Sequence, residues 1–271
     1  RGMILMTAST LRQVEGFVQV ESLGPVQAKG ISQPCEAYSL IGTTSARTRF
    51  QAGVGRGLTP LVGRSTEIDI FNKLVEQTAA RHGHILAMVG EPGMGKSRLV
   101  HEFTRHQLAS GWLVLEGTSV SYGKATPYFP LVEMLRRYFQ ITDGKGPEEI
   151  QERVVNHILE LSNVLQDTIA PILSLLGALP EERYSPISVE HNWLSQHQDL
   201  IEMVNRFCAM DPQQRRRRTL DALKRILVRE SQRQPLLIVF EDLHWIDSET
   251  QAFFDGFVES LPLSRILLLV D

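Results

Sequence analysis

The sequence predicts an α/β fold, a parallel sheet with helices on both faces and a long helical insert, preceded by a small β-rich piece. Three observations carry this. Short apolar runs recur at 84–89, 112–117, 236–240 and 266–270, each too short for a helix and each lacking the alternation of a half-exposed strand, as strands buried on both faces do. Stretches with apolar residues at helical spacing separate them, and strands divided by helices form parallel sheets through right-handed crossovers. The text before residue 43 has a different grain, with turn formers between strand-like pieces.

Taken in order, "FVQVESL" and "CEAYSL" between residues 16 and 40 are strand-like and are parted by the turn-forming "GP", "KG" and "SQP". From 43 to 58 the chain is small, polar and basic without a sustained period, which reads as a linker between a unit at 1–42 and a domain at 59–271. Ile68, Phe71, Leu74 and Val75 mark a helix over 66–79. The strands "HILAMV" and "WLVLEG" follow, and then a mainly helical insert from about Tyr128 to Gln232, broken at "DGKGP", "LPEERYSP" and "DPQQ". A helix at 249–260 lies between the last two strands, "LLIVF" and "ILLLV".

At 271 residues and 42% hydrophobic content the chain can bury a sizeable core. No apolar run reaches the roughly 20 residues needed to span a bilayer, and "RGMILMTAST" is no secretory signal, so a cytoplasmic location without a membrane partner is expected. Cys35 and Cys208 stand far apart and offer neither a metal-ligand nor a redox pair. The first residue is Arg1 and the chain closes on the strand-like "ILLLVD", so it reads as a fragment of a longer polypeptide.

The chemistry concentrates in "VGEPGMGKSRLV", residues 89–100. Gly90, Gly95, Lys96 and Ser97 fit G-x-x-x-x-G-K-[ST] between a strand and a helix, where backbone N–H groups and the helix N-terminus face an anion and absent side chains leave room for phosphate. Gly90, Glu91, Pro92, Gly93, Met94, Gly95, Lys96, Ser97 and Arg98 are therefore the candidate residues for ATP, with Lys96 on the β- and γ-phosphates and the Ser97 hydroxyl on Mg²⁺. The second half of such a site is a carboxylate at the end of a neighbouring strand. "PLLIVFEDLHWID" supplies Glu241 and Asp242, read as a Mg²⁺ ligand and a water-orienting catalytic residue, respectively, with alternate strand side chains given different tasks. His244 beside them reads as a packing residue.

Together "LVGRSTEI", "GEPGMGKSRLV" and "LLIVFEDLHWID" resemble the AAA/STAND-type P-loop ATPase module often described as Orc1-like, from residue 59 onward. The resemblance implies ATP and Mg²⁺ as cofactors and brings Val62, Gly63 and Arg64 to the adenine; Glu241 departs from it, since many members carry aspartate there. Residues 11–40 are similar to the last strands of class III adenylate/guanylate cyclase domains, which implies that Lys29 matches a triphosphate-contacting lysine. The metal-binding aspartates of such cyclases are not among these residues, so no cyclic nucleotide is expected from this chain.

In "RRRRTLDALKRILVRESQR", residues 215–233, Leu220, Leu223, Ile226 and Leu227 recur at helical spacing, so the arginines form the solvated face of an amphipathic helix. With a net charge of −3, nucleic acid is not an expected partner. The function read from all this is a nucleotide-driven regulatory switch or slow ATPase within a signalling protein, with ATP/ADP, protein partners or further domains, and nucleotide-dependent oligomers as the partners to expect. An oligomeric motor, a nucleic-acid-handling ATPase and an inert platform attached to a cyclase are the alternatives.

Overall fold

The computed structural model describes residues 3–27, 34–44, 49–54, 58–119, 125–142, 144–179 and 198–271. The chain divides into two compact units, Arg1–Arg64 and Ser65–Asp271.

The first unit holds β1 (Leu5–Thr7), α1 (Ala8–Val14), β2 (Val18–Val26), β3 (Cys35–Thr43) and α2 (Arg49–Val54), with an antiparallel sheet in the order β1-β3-β2. The expected strand pair is present and longer than its sequence signal. Gly24, at φ +72°, precedes Pro25 inside β2, and the register slips between Ser22 and Gly24. Such a bulge is how a strand accommodates proline. The stretch read as a linker contains α2. A Cβ on Gly16 would lie 2.4 Å from the Ala52 carbonyl oxygen, so α2 rests directly on the turn before β2. Lys29 lies outside the described residues.

The second unit is built on four parallel strands, β4 (His84–Ala87), β5 (Leu113–Thr118), β6 (Leu236–Glu241) and β7 (Ile266–Val270), in the order β4-β7-β6-β5. The five residues Leu236–Phe240 are all buried, as their unbroken apolar run requires. On one face α3 (Ser65–Ala79) packs against β4 and β7 and α4 (Lys96–Ala109) against β5 and β6. Phe71 and Phe103 join these two helices through parallel rings 3.8 Å apart. The other face carries Leu236, Ile238, Phe240, Ile266 and Leu268 into one large core. That core is shared with α5 (Phe129–Tyr138), α6 (Pro147–Leu161), α7 (Ile169–Leu175), α9 (Pro212–Arg233) and α10 (Ser248–Phe257), while α8 (Gln198–Cys208) packs on α7.

Among the described residues the insert is mainly helical, as expected, and "DPQQ" is a helix start; the break expected at "LPEERYSP" lies, beyond Leu179, outside the described residues. The Asp211 side chain accepts from Gln214 N–H, and the Gln214 side chain reaches back to Asp211 N–H, closing a capping box ahead of α9. That helix buries Ala222, Leu223, Ile226 and Leu227 and turns its arginines outward, Arg225 onto Asp167 at 2.6 and 2.9 Å. Tyr138 is buried with its hydroxyl donating to Glu230, and Tyr128 and Phe129 are half-buried at the start of α5; Tyr122 lies outside the described residues.

Gly117 on β5 is irreplaceable for a packing reason. A Cβ there would stand 2.4 and 2.8 Å from ring atoms of the buried Phe240 and 3.0 Å from the Pro130 carbonyl oxygen. Gly117→Ala is expected to destabilise the unit by about 1–3 kcal/mol, the usual cost of overpacking. A urea midpoint unchanged from the parent protein would show that Phe240 yields freely.

Candidate functional site

The loop from Met88 to Gly95 joins β4 to α4 at the carboxyl edge of the sheet, the end at which ligands of open α/β sheets bind. Met88 N–H donates to the Val270 carbonyl at 2.8 Å, and Met94 N–H to that of Glu91 at 3.3 Å. Gly93 and Gly95 have φ +86° and +87°, a conformation in which a side chain is strained. Nothing lies within 4 Å of where their Cβ atoms would be, so the backbone conformation alone demands glycine and the space beside the loop is open. Gly95 caps α4, whose first internal bond runs from Leu99 N–H to Gly95 O, leaving the first-turn N–H groups without helical acceptors. Lys96 Nζ donates back to the Gly90 carbonyl at 3.1 Å. Arg98 turns along the helix onto Glu102 at 2.8 Å.

Glu241 is the last residue of β6 and shares its face of the sheet with α4, where the Ser97 hydroxyl is near enough to favour the charged form of its carboxylate. The start of α4 thus comes beside the carboxylate strand although β7 lies between β4 and β6. Burial pushes the Glu241 carboxyl up to about 7, with Asp271, Glu116 and Asp242 adding negative potential and only Ser97 acting against them. A divalent cation beside Ser97 would relieve this potential. The donor set therefore fits Mg²⁺ held by one hydroxyl and one carboxylate, with phosphate oxygens completing the shell. Among the described residues no group of three or more His, Cys, Asp or Glu is arranged to hold a metal by itself.

Asp242 corrects the expectation of two alternating strand side chains. Its φ of +60° takes it out of the extended conformation, so the alternation rule stops at Glu241. Its N–H donates to Asp271 Oδ1 at 2.7 Å, and Leu243 N–H to the Asp271 carbonyl at 2.9 Å. Asp271 thus fixes the turn, a role the sequence reading missed although "ILLLVD" repeats the pattern of an apolar strand closed by an acid. Glu116, also missed, pairs with Arg137 at 3.3 Å. His244 is exposed, its ring 4.9 Å from that of Trp245. Val62, Gly63 and Arg64 belong to the first unit, with Gly63 at φ +75°. Among the described residues no helix is long and apolar enough to cross a membrane.

The chain is 26% identical over 226 residues to an uncharacterized protein, R02095, of Rhizobium meliloti (strain 1021), an alignment that takes in 83% of this chain and 19% of that protein. The chain thus spans about a fifth of the length of this relative. The AAA ATPase domain family matches residues 60–270, a stretch that holds the glycine loop, all four parallel strands and the helical insert between them. With the glycine loop and the carboxylate strand both inside that match, the chain belongs to the AAA ATPase domain family.

Proposed function

We propose that this chain is an ATP-binding regulatory switch with slow hydrolysis, one module of a longer signalling polypeptide in which nucleotide occupancy sets the conformation. The observation that carries the reading is the placement of the glycine loop at the carboxyl edge of the sheet, with Ser97 in the first turn of α4 beside the half-buried Glu241 carboxylate that ends β6. In this reading the loop Gly90–Gly95, with Glu91, Pro92, Gly93 and Met94, wraps the phosphates through its backbone, and Lys96 carries the counter-charge. Ser97 and Glu241 hold Mg²⁺, Asp242 orients the attacking water, Arg98 borders the phosphate loop through its backbone while its side chain stays on Glu102, and Val62, Gly63 and Arg64 serve the adenine. Mg²⁺ when bound supplies Lewis-acid stabilisation of the phosphoryl oxygens.

The first unit is read as the carboxyl-terminal end of a class III cyclase domain, supported by its β-hairpin and the similarity of residues 11–40. A calorimetric titration with Mg–ATP tests the central claim, paired with single-turnover hydrolysis at two protein concentrations. Saturable binding with slow turnover per molecule, independent of protein concentration, is the expected result. Turnover that rises with protein concentration would favour an oligomeric motor, and absence of binding would leave an inert platform.

A further inference from the structure

Asp247 closes the turn that begins at Asp242. It is buried, and both of its carboxylate oxygens accept hydrogen bonds. Oδ1 accepts from the N–H groups of Glu249 and Thr250 at 3.0 Å each, capping α10, and from Tyr128 N–H at 2.9 Å. Oδ2 accepts from the Thr250 hydroxyl at 2.6 Å. Burial alone would favour the neutral acid, and these hydrogen bonds from Thr250, Tyr128 and Glu249 outweigh it, keeping the carboxyl below its usual range.

Two of the contacts make a helix cap, which any Asp, Asn or Ser provides. The third does not belong to a cap. Tyr128 is 119 residues away in sequence, stands at φ +62° and opens α5. Its hydroxyl donates to Glu249 Oε2 at 2.7 Å, and that oxygen also takes Arg216 Nε of α9 at 2.6 Å. The entry to α5, the start of α10 and the start of α9 are therefore knotted at one point. The Asp242–Ile246 turn between β6 and α10 is held at both ends, by Asp271 at the sheet and by Asp247 at this knot, with Trp245 N–H on the Asp242 carbonyl at 2.9 Å between them.

We propose that Asp247 is a positioning residue for hydrolysis: its bond to Tyr128 N–H locks the turn so that the left-handed Asp242 presents its carboxylate at one fixed place. The inference rests on the reading of Asp242 as the water-orienting residue. It has physical force because a misplacement of about 1 Å at a reacting group costs on the order of a hundredfold in rate.

The test separates the Tyr128 contact from the cap. Asp247→Ser keeps a short acceptor for the α10 N–H groups and cannot serve Tyr128 as well; Asp247→Asn keeps an oxygen for all three N–H donors. Thr250→Val removes only the hydroxyl on Oδ2 and serves as a control for lost stability. Mg–ATP affinity, single-turnover hydrolysis and thermal midpoint are measured on all four proteins. Asp247→Ser is expected to lose at least tenfold in hydrolysis with affinity within threefold of the parent. Asp247→Asn should keep hydrolysis within threefold, and Thr250→Val should lower the midpoint without slowing hydrolysis.

Unchanged hydrolysis in Asp247→Ser overturns the inference, as does a loss in Thr250→Val that keeps step with it. Should Asp247→Ser fail to fold, a tenfold loss in Asp247→Asn overturns it equally. A parent protein that binds Mg–ATP without cleaving it overturns the hydrolytic reading of Asp242 and the inference together. These outcomes distinguish failure of the positioning role from failure of the function it rests on.

Discussion

Replacing Lys96 by alanine is expected to weaken Mg–ATP binding by about 1.5–3 kcal/mol, roughly 10- to 150-fold, and to leave the fold intact. The Lys96 ammonium makes an exposed hydrogen bond to the Gly90 carbonyl, 3.1 Å away. An exposed bond of this kind contributes little to stability, because water replaces either partner at once. Toward a triphosphate the balance is different. Lys96 is the cation of the loop itself, and Arg98, two residues on, is engaged with Glu102. Nothing else on the loop can substitute for a charge-assisted bond to the phosphates. Calorimetry on the folded variant, with a urea transition alongside, measures both halves of this expectation. Unaltered affinity would mean that the loop does not hold a triphosphate.

How much of this site could be read from the sequence depends on what kind of contact fixes each residue. The loop and the β6 terminus were legible because their signals are local. Glycines at Gly93 and Gly95 answer to a backbone conformation, and the run Leu236–Phe240 answers to burial on both faces. The end of β4 was overread, since apolar character continues to Val89 while the ladder stops at Ala87 and Val89 is exposed. Apolar runs report burial, and strand ends are set by hydrogen bonds that such runs do not encode.

In the first unit β1 and α1 went unread. Only Ala37 among its described apolar side chains is buried, so periodicity had little to report. Asp271, Glu116 and Asp247 were missed for another reason. Their partners Asp242, Glu241 and Tyr128 become neighbours only through the β5-β6-β7 ladder and the docking of α5 on α10. Spacing along the chain carries no trace of that.

Glu241 offers an expectation with a definite sign. Its carboxyl is raised from an ordinary 4.5 to about 7 by burial, Asp271, Glu116 and Asp242. Between those two values the folded protein holds a proton that the unfolded chain has lost, so stability falls as pH rises through this window. The full cost is present above about 7 and absent below about 4.5. At about 1.4 kcal/mol per pH unit, the penalty at pH 8 is on the order of 3 kcal/mol at most. Glu241→Gln removes the charge while keeping the shape. It should therefore raise the urea midpoint clearly at pH 8 and hardly at pH 5, in the absence of Mg²⁺ and nucleotide. The same variant is expected to lose Mg²⁺-dependent ATP binding, because the cation's carboxylate ligand is gone. Asp242→Asn should behave in the opposite way. Outside the strand at φ +60° it contributes less to the charge crowding, so its stability gain is smaller; binding persists and single-turnover hydrolysis falls by most of its value. If Glu241, one methylene longer, reaches the water instead, the binding and hydrolysis phenotypes exchange while the pH-dependent stability gain stays with Glu241→Gln. A Glu241→Gln protein no more stable than its parent at pH 8 would show that Asp271 and Glu116 do not crowd this carboxylate, and the electrostatic case for a cation beside Ser97 would go with it.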